Sequence, residues 1–125
     1  VSAGSAILDT MNTCGCDFKT IVMGTAASMA AVIASSGTKG KRYIGANSGM
    51  MIHQALGGFS GQTADILRTA QHIEKTNKRL YEILARNCGV SVQQIAVDCD
   101  RDYHLNAEEA IAYGLADHIF SGFED

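Results

Sequence analysis

Ser28 stands just past the point where an apolar run, Thr20-Ile-Val-Met23, meets a glycine and an uncharged, alanine-rich segment begins. That order reads as a buried strand, a tight turn and a buried helix with the serine in its first turn. A serine there has two uses. Its oxygen can cap the helix by accepting a backbone N–H two or three residues on. It can instead be a nucleophile, because the unpaired N–H groups and positive dipole end of a helix start favour negative charge forming beside it. The second use needs a base within hydrogen-bond reach and a group that fixes the base's tautomer. Of the four histidines, His72 lies on a charged helical stretch and reads as solvated, while His104 and His118 sit among mixed polar residues. His53 ends the apolar run Met50-Met-Ile52 at a glycine-rich segment, where a side chain can emerge at a sheet edge. A structural histidine is the simpler reading of that place. For the orienting acid, Asp98, Asp100, Asp102 and Asp117 are all available, and periodicity does not choose among them. Gly24-Thr-Ala-Ala-Ser28 is not a G-x-S-x-G elbow, and the chain order Ser, His, Asp differs from that of the well-known serine hydrolases. The residues alone leave acyl transfer and an ordinary helix cap both open.

The elements that would position these groups belong to one domain of 125 residues. An apolar content of 46% with 18% charged residues fits an ordered core, and the low charge hints at surface buried beyond one subunit. A net charge of −3 gives no nucleic-acid groove or anionic-membrane patch. No apolar run approaches the length of a membrane span, and no signal peptide is visible. Cys14, Cys16, Cys88 and Cys99 show no zinc-ligand spacing, so no metal site is expected. Cys14-Gly-Cys16 looks too close for an easy mutual disulfide, which favours reduced thiols in a cytosol-like compartment.

Taken in order, Ser2 is expected to cap a helix to about Asn12, with Ala3, Ala6, Ile7 and Met11 on its apolar face. Thr13 to Phe18 form a loop, followed by the Thr20–Met23 strand and the Ser28 helix, which ends near Ser35-Ser-Gly37. Short strands follow at Arg42-Tyr-Ile44 and Met50-Met-Ile52. The segment Gln54 to Gly61 is rich in glycine and on spacing alone reads as a loop rather than a peptide-pairing strand. A long helix is expected from Gln62 to Cys88, with Asp65 in its first turn, Arg86 in its last and Gly89 as its stop. Its stripe is Ile66, Ala70, Ile73, Leu80 and Leu84, with Glu74 and Lys78 paired on the wet side. At about 40 Å it is too long for this domain to cover, so it should project or pack on another subunit. Ser91-Val-Gln-Gln94 reads as a capping box, and Asn106 starts another helix that stops at Gly114. Asp117-His-Ile-Phe120 reads as a last strand or turn. Alternating short strands and helices make the chain α/β, layered around a small sheet.

Several motifs together resemble one family. Gly24-Thr-Ala-Ala-Ser-Met29, Met51-Ile-His-Gln54, Leu56-Gly-Gly58, Arg101-Asp102 and Tyr113-Gly-Leu-x-Asp117 are similar to the proteolytic subunit of the Clp protease, ClpP. The resemblance runs through essentially the whole chain and implies a crotonase-like α/β spiral with a projecting handle over about residues 54–88. It implies Ser28 as nucleophile, His53 as general base, Asp102 as orienting acid and the Met29 N–H as an oxyanion donor. Leu56, Gly57 and Gly58 would pair with an extended peptide, which reverses the loop reading. The implied function is a serine endopeptidase hydrolysing unfolded proteins and peptides inside a chamber of two stacked seven-membered rings. A hexameric AAA+ unfoldase would feed that chamber and use the ATP, so no cofactor is expected in this subunit. Nucleic acid and membrane are not expected partners, and a bacterial-type cytoplasmic location is expected, with an organelle matrix or stroma as the alternative.

Residues 1–125 would form one ClpP-like domain that lacks the family's N-terminal segment, including a Gly-Gly turn that supplies the second oxyanion donor. Ala30 stands where the family usually has glycine, and Ala46 and Ala55 replace prolines common around the histidine strand. Other readings stay open: a catalytically weak or silent ring subunit, and a crotonase-type acyl-CoA enzyme working through paired N–H donors.

Overall fold

The computed structural model describes residues 2–54 and 63–123. Helix α1 spans Ser2–Thr13, strands β1 and β2 span Thr20–Val22 and Thr25–Ala27, and helix α2 spans Met29–Ser35. Strands β3 (Arg42–Gly45) and β4 (Gly49–Ile52) follow, then helices α3 (Thr63–Cys88) and α4 (Val92–Asp98). The chain ends through β5 (Tyr103–Asn106), α5 (Ala107–Tyr113) and β6 (His118–Phe120).

The strands form two sheets, and each pass of the chain adds one strand to each. β1 and β2 lie in different sheets, α2 carries the chain back, and β3 and β4 then pair in parallel on β1 and β2. The first sheet is completed by β6, parallel to β3, and the second by β5, antiparallel to β4. This is a spiral of short strands, as the family resemblance implies, built on two three-stranded sheets rather than the single small sheet that the alternation of elements alone suggests. The sequence reading missed β2: Gly24 to Ala27 was expected to be the turn before the helix. Gly24 at φ +86° makes the corner, and its N–H donates to Ser48 Oγ at 2.9 Å. Its carbonyl accepts from Gly49 N, also at 2.9 Å, so β2 starts beside β4. One polar corner thus feeds both sheets.

Ile44, Met50, Ile52, Ile95 and Leu115 are fully buried between the layers. Two expected faces are corrected. In α1 the buried positions are Gly4 and Leu8, while Ala3, Ala6 and Ile7 face outward, with Ile7 48% exposed. The cause is close packing, since a Cβ on Gly4 would run into Cγ and Sδ of Met29. The expected cap Ser2 lies within the helix. In α2 only Ala31, Val32 and Ser35 are buried, so that helix is half covered rather than fully so.

Arg42, expected only as a strand residue, is the charged centre of the fold. It is 4% exposed, and its Nη1 donates to the carbonyls of Ser35, Asn87 and Gly114 at 3.1, 3.1 and 2.8 Å. These are carbonyls at the C-terminal ends of α2, α3 and α5, where helices leave acceptors unpaired and carry negative dipole charge. Nε and Nη2 donate to the two Asp117 oxygens at 2.9 and 2.8 Å. Asp117 also accepts from the N–H groups of Gly40 and Arg42. The Arg42 hydrogen bond, assisted by the Gly40 N–H, lowers the Asp117 carboxyl to about 2. One guanidinium therefore ties three helix ends to the start of β6. Gly114 must be glycine there, because its φ is +100° and a Cβ would collide with the Cys88 carbonyl.

The expected stop of α3 is present: Gly89, at φ +69°, donates to the Ala85 carbonyl at 2.9 Å. The expected start at Gln62 lies outside the described residues. Burial along α3 is graded as a projecting helix requires, with Leu67 58% exposed and Leu84 2%. Ala70 of the expected stripe is exposed. Ser91 caps α4 by accepting from Gln94 N at 3.1 Å, but the Gln94 side chain donates to Asp98 instead of closing the box. The complete box lies at Asn106 and Glu109, whose side chains each accept the other's backbone N–H. Cys14 and Cys16, expected as free thiols, are joined in a disulfide. Gly15 at φ +69° turns the chain enough to hold the two Cα atoms 5.5 Å apart, within ordinary disulfide range.

Candidate active site

The sheet of β2, β4 and β5 brings together the three residues singled out in the sequence. Ser28 directly follows β2, and its N–H donates to the Met51 carbonyl at 2.9 Å, continuing the ladder one step past the strand. His53 directly follows β4, the neighbouring parallel strand. Asp102 directly precedes β5, and because β5 runs antiparallel with Ile52 opposite Tyr103, the next residues outward are His53 and Asp102. All three stand at one end of adjacent strands in the order serine, histidine, aspartate.

His53 Nδ1 lies 3.2 Å from Asp102 Oδ1. That contact engages Nδ1 of the imidazole, the nitrogen that an orienting acid holds in a serine–histidine–aspartate arrangement. The remaining acids are placed elsewhere. Asp98 accepts from the Tyr113 hydroxyl at 2.6 Å, Asp117 belongs to Arg42, and Asp100 is exposed with its carbonyl turned to Gln54. Burial, with the Asp98 hydrogen bond, pushes the Tyr113 phenol up. The other histidines are exposed: His72 on α3, His104 on β5, and His118 with its ring 5.4 Å from that of Tyr43.

Ser28 is not an ordinary cap. Its side chain makes no capping hydrogen bond, and its φ of +58° is positive, alone among the described non-glycine residues. Such a conformation costs on the order of 1–3 kcal/mol and persists where the surroundings impose it. Here the ladder bond to Met51 on one side and the start of α2 on the other force the chain through a sharp strand-to-helix turn. That turn lifts the exposed Ser28 side chain off the sheet, the local geometry of a presented nucleophile. The sequence pattern gave no sign of it, because the residues flanking Ser28 are alanine and methionine rather than glycine. Met29 occupies the first position of α2, where a helix N–H has no intrahelical acceptor. Its side chain is wedged against Gly4 of α1, so α1 buttresses the residue after the serine. A glycine inside a helical pattern was the available signal for that contact.

Leu56, Gly57 and Gly58, expected to pair with a peptide, lie outside the described residues, as does Ala55. Among the described residues no three His, Cys, Asp or Glu side chains gather as a metal-holding group, and no helix is long and apolar enough to cross a membrane.

A family model described as Clp protease matches residues 1–122. The chain belongs to the Clp protease family. The "ATP-dependent Clp protease proteolytic subunit" of Streptococcus pyogenes serotype M5 (strain Manfredo) is 53% identical over 126 aligned positions, covering 99% of this chain. The proteins of the same name from serotype M49 (strain NZ131) and serotype M1 match equally. The chain spans 64% of the length of these relatives. The two-sheet spiral is therefore that of a Clp protease family chain. Within this family member, sheet order brings distant stretches of sequence to one edge.

Proposed function

We propose that this chain forms the catalytic part of a serine endopeptidase with Ser28 as nucleophile, His53 as general base and Asp102 as orienting acid. The observation that carries the reading is the 3.2 Å contact between His53 Nδ1 and Asp102 Oδ1 at the strand end beside Ser28. In the reaction, His53 Nε2 takes the Ser28 proton as Oγ attacks a peptide carbonyl. The Met29 N–H helps hold the oxyanion, His53 passes its proton to the leaving amine, and water releases the acyl-enzyme. Leu56, Gly57 and Gly58 pair with the extended substrate. The exposed first half of α3 supports assembly with further copies, in two stacked seven-membered rings whose handle covers about residues 54–88. Unfolded polypeptides are the substrate, delivered by a hexameric AAA+ unfoldase that consumes the ATP, and the setting is cytoplasmic. Residues 1–125 act as one ClpP-like unit that binds no cofactor of its own.

A fluorophosphonate probe tests the core of this reading. The expected result is one probe bound covalently at Ser28 in the intact chain, none in Ser28→Ala, and slow labelling in His53→Ala. Equal labelling of Ser28→Ala refutes it. Acyl-CoA turnover surviving both substitutions would point instead to a crotonase-type enzyme, and an unlabelled wild-type chain to a silent ring subunit.

A further inference from the structure

The Asp102 side chain is 60% exposed, against 20% for His53. An ion pair or hydrogen bond so open to water is weak and does not by itself hold two side chains in a fixed geometry. The β4–β5 ladder supports the couple from one side only, since its last pair is Ile52 with Tyr103. On the other side stands Gln54, a residue to which the sequence motifs assign no role. Its backbone N–H donates to the Cys99 carbonyl at 3.0 Å, and its side-chain Nε2 donates to the Asp100 carbonyl at 3.2 Å. Cys99 is fully buried and caps α4, so this anchor is rigid.

The chain is thus closed into a ring around the couple. The residue after His53 is bonded twice to the segment before Asp102, while the residue before His53 is paired with the residue after Asp102. We propose that Gln54 is a positioning residue for the reaction: its two hydrogen bonds, from the backbone N–H to the Cys99 carbonyl and from Nε2 to the Asp100 carbonyl, set the separation and orientation of His53 and Asp102. The inference rests on the catalytic reading of Ser28, His53 and Asp102. Gln54 does not touch the reacting atoms. Without the side-chain bond, the stretch before Asp102 is held on the Gln54 side by the backbone bond to Cys99 alone, with the Ile52–Tyr103 pair on the other side, and the exposed carboxylate samples positions away from Nδ1.

The test compares the wild-type chain with Gln54→Met and Gln54→Glu, which keep the side-chain length and remove the donor. Gln94→Met serves as a control, because it removes a comparable surface bond to Asp98 at 3.0 Å. One readout is the first-order rate of fluorophosphonate labelling at saturating probe, with the half-saturation concentration measured alongside. The other is the His53 Nδ1–H proton in histidine-labelled protein, assigned by its loss in Asp102→Ala. Expected in both Gln54 variants are a labelling rate lower by about tenfold, the size of one lost hydrogen bond, and a half-saturation concentration within about twofold of wild type. The Nδ1–H proton should broaden, and Gln94→Met should match wild type in every respect. Gln54→Glu decides the matter if Gln54→Met does not fold. A wild-type labelling rate in the folded variants overturns the proposal. If the wild-type chain is not labelled at all, the catalytic reading fails separately, and an unchanged Nδ1–H proton then overturns the positioning role.

Discussion

Replacing Arg42 by methionine removes the guanidinium from the place where three helix ends meet. The substitution roughly conserves the aliphatic stem and deletes five side-chain hydrogen bonds, three of them to carbonyls of Ser35, Asn87 and Gly114 and two to Asp117. Breaking one side of a buried charged pair typically costs about 3–5 kcal/mol, because the partner groups stay desolvated. For a chain of 125 residues, each kcal/mol shifts the melting temperature by about 4 °C, so a fall of about 12–20 °C is expected. Asp117→Asn should cost less, since one oxygen still accepts from the Gly40 and Arg42 N–H groups. The double variant should fall short of the sum by about 2 kcal/mol, the coupling of two residues in direct contact. The acid limb provides an independent check. Asp117 is held at about 2 in the folded chain against an ordinary value of 3.8, so the unfolded state binds more protons between those values. Its contribution is complete above about pH 4 and disappears as the pH falls toward 2, amounting to about 2 kcal/mol. Urea unfolding between pH 2 and 6 measures both effects. Strict additivity of the two substitutions, with an acid limb in Asp117→Asn as steep as in wild type, would refute the reasoning.

Two further outcomes follow from the site and the thiols. Ser28→Gly should unfold at a higher temperature than Ser28→Ala, by about 4 °C for about 1 kcal/mol of relieved strain, because glycine accepts the φ of +58° freely. Equal melting of the two variants by scanning calorimetry would mean that the turn is unstrained. Burial pushes the Cys88 thiol up to about 11 and the Cys99 thiol up to about 12, whereas Cys14 and Cys16 are exposed. After mild reduction at pH 8, iodoacetamide should therefore modify Cys14 and Cys16 quickly and reach Cys88 and Cys99 only on unfolding, as read by mass spectrometry.

The sequence disclosed the long periodic elements and the chemistry-bearing motifs better than the corners between them. Gly89 and Gly114 announced their helix ends, and Met50-Met-Ile52 announced β4, because each is written in local pattern. The second strand of the first pass escaped, since Thr25-Ala-Ala27 has no alternation and its place depends on Ser48, more than twenty residues away. Local pattern could not select Asp102 among the four carboxylates either. What selects it is the antiparallel register of β5 on β4, a long-range pairing that is absent from any short window. Arg42 was equally silent, because a lone arginine beside an apolar pair looks like the wet edge of a strand. Only the convergence of helix ends from three parts of the chain makes its charge a core residue.

The spiral also dictates where this polypeptide can change its length. Because β1 and β2 must land in separate sheets on the same pass, the Met23-Gly24 step between them works as a fixed spacer. One residue more or fewer there would slide β2 along β4 and carry Ser28 away from His53. Residues 14–17 have no such duty: they leave α1 at the surface ahead of Phe18, whose backbone is tied to Thr38, and insertions belong there. Evolutionary drift in loop size should therefore be written unevenly along this chain, free ahead of β1 and absent at the corner that follows it.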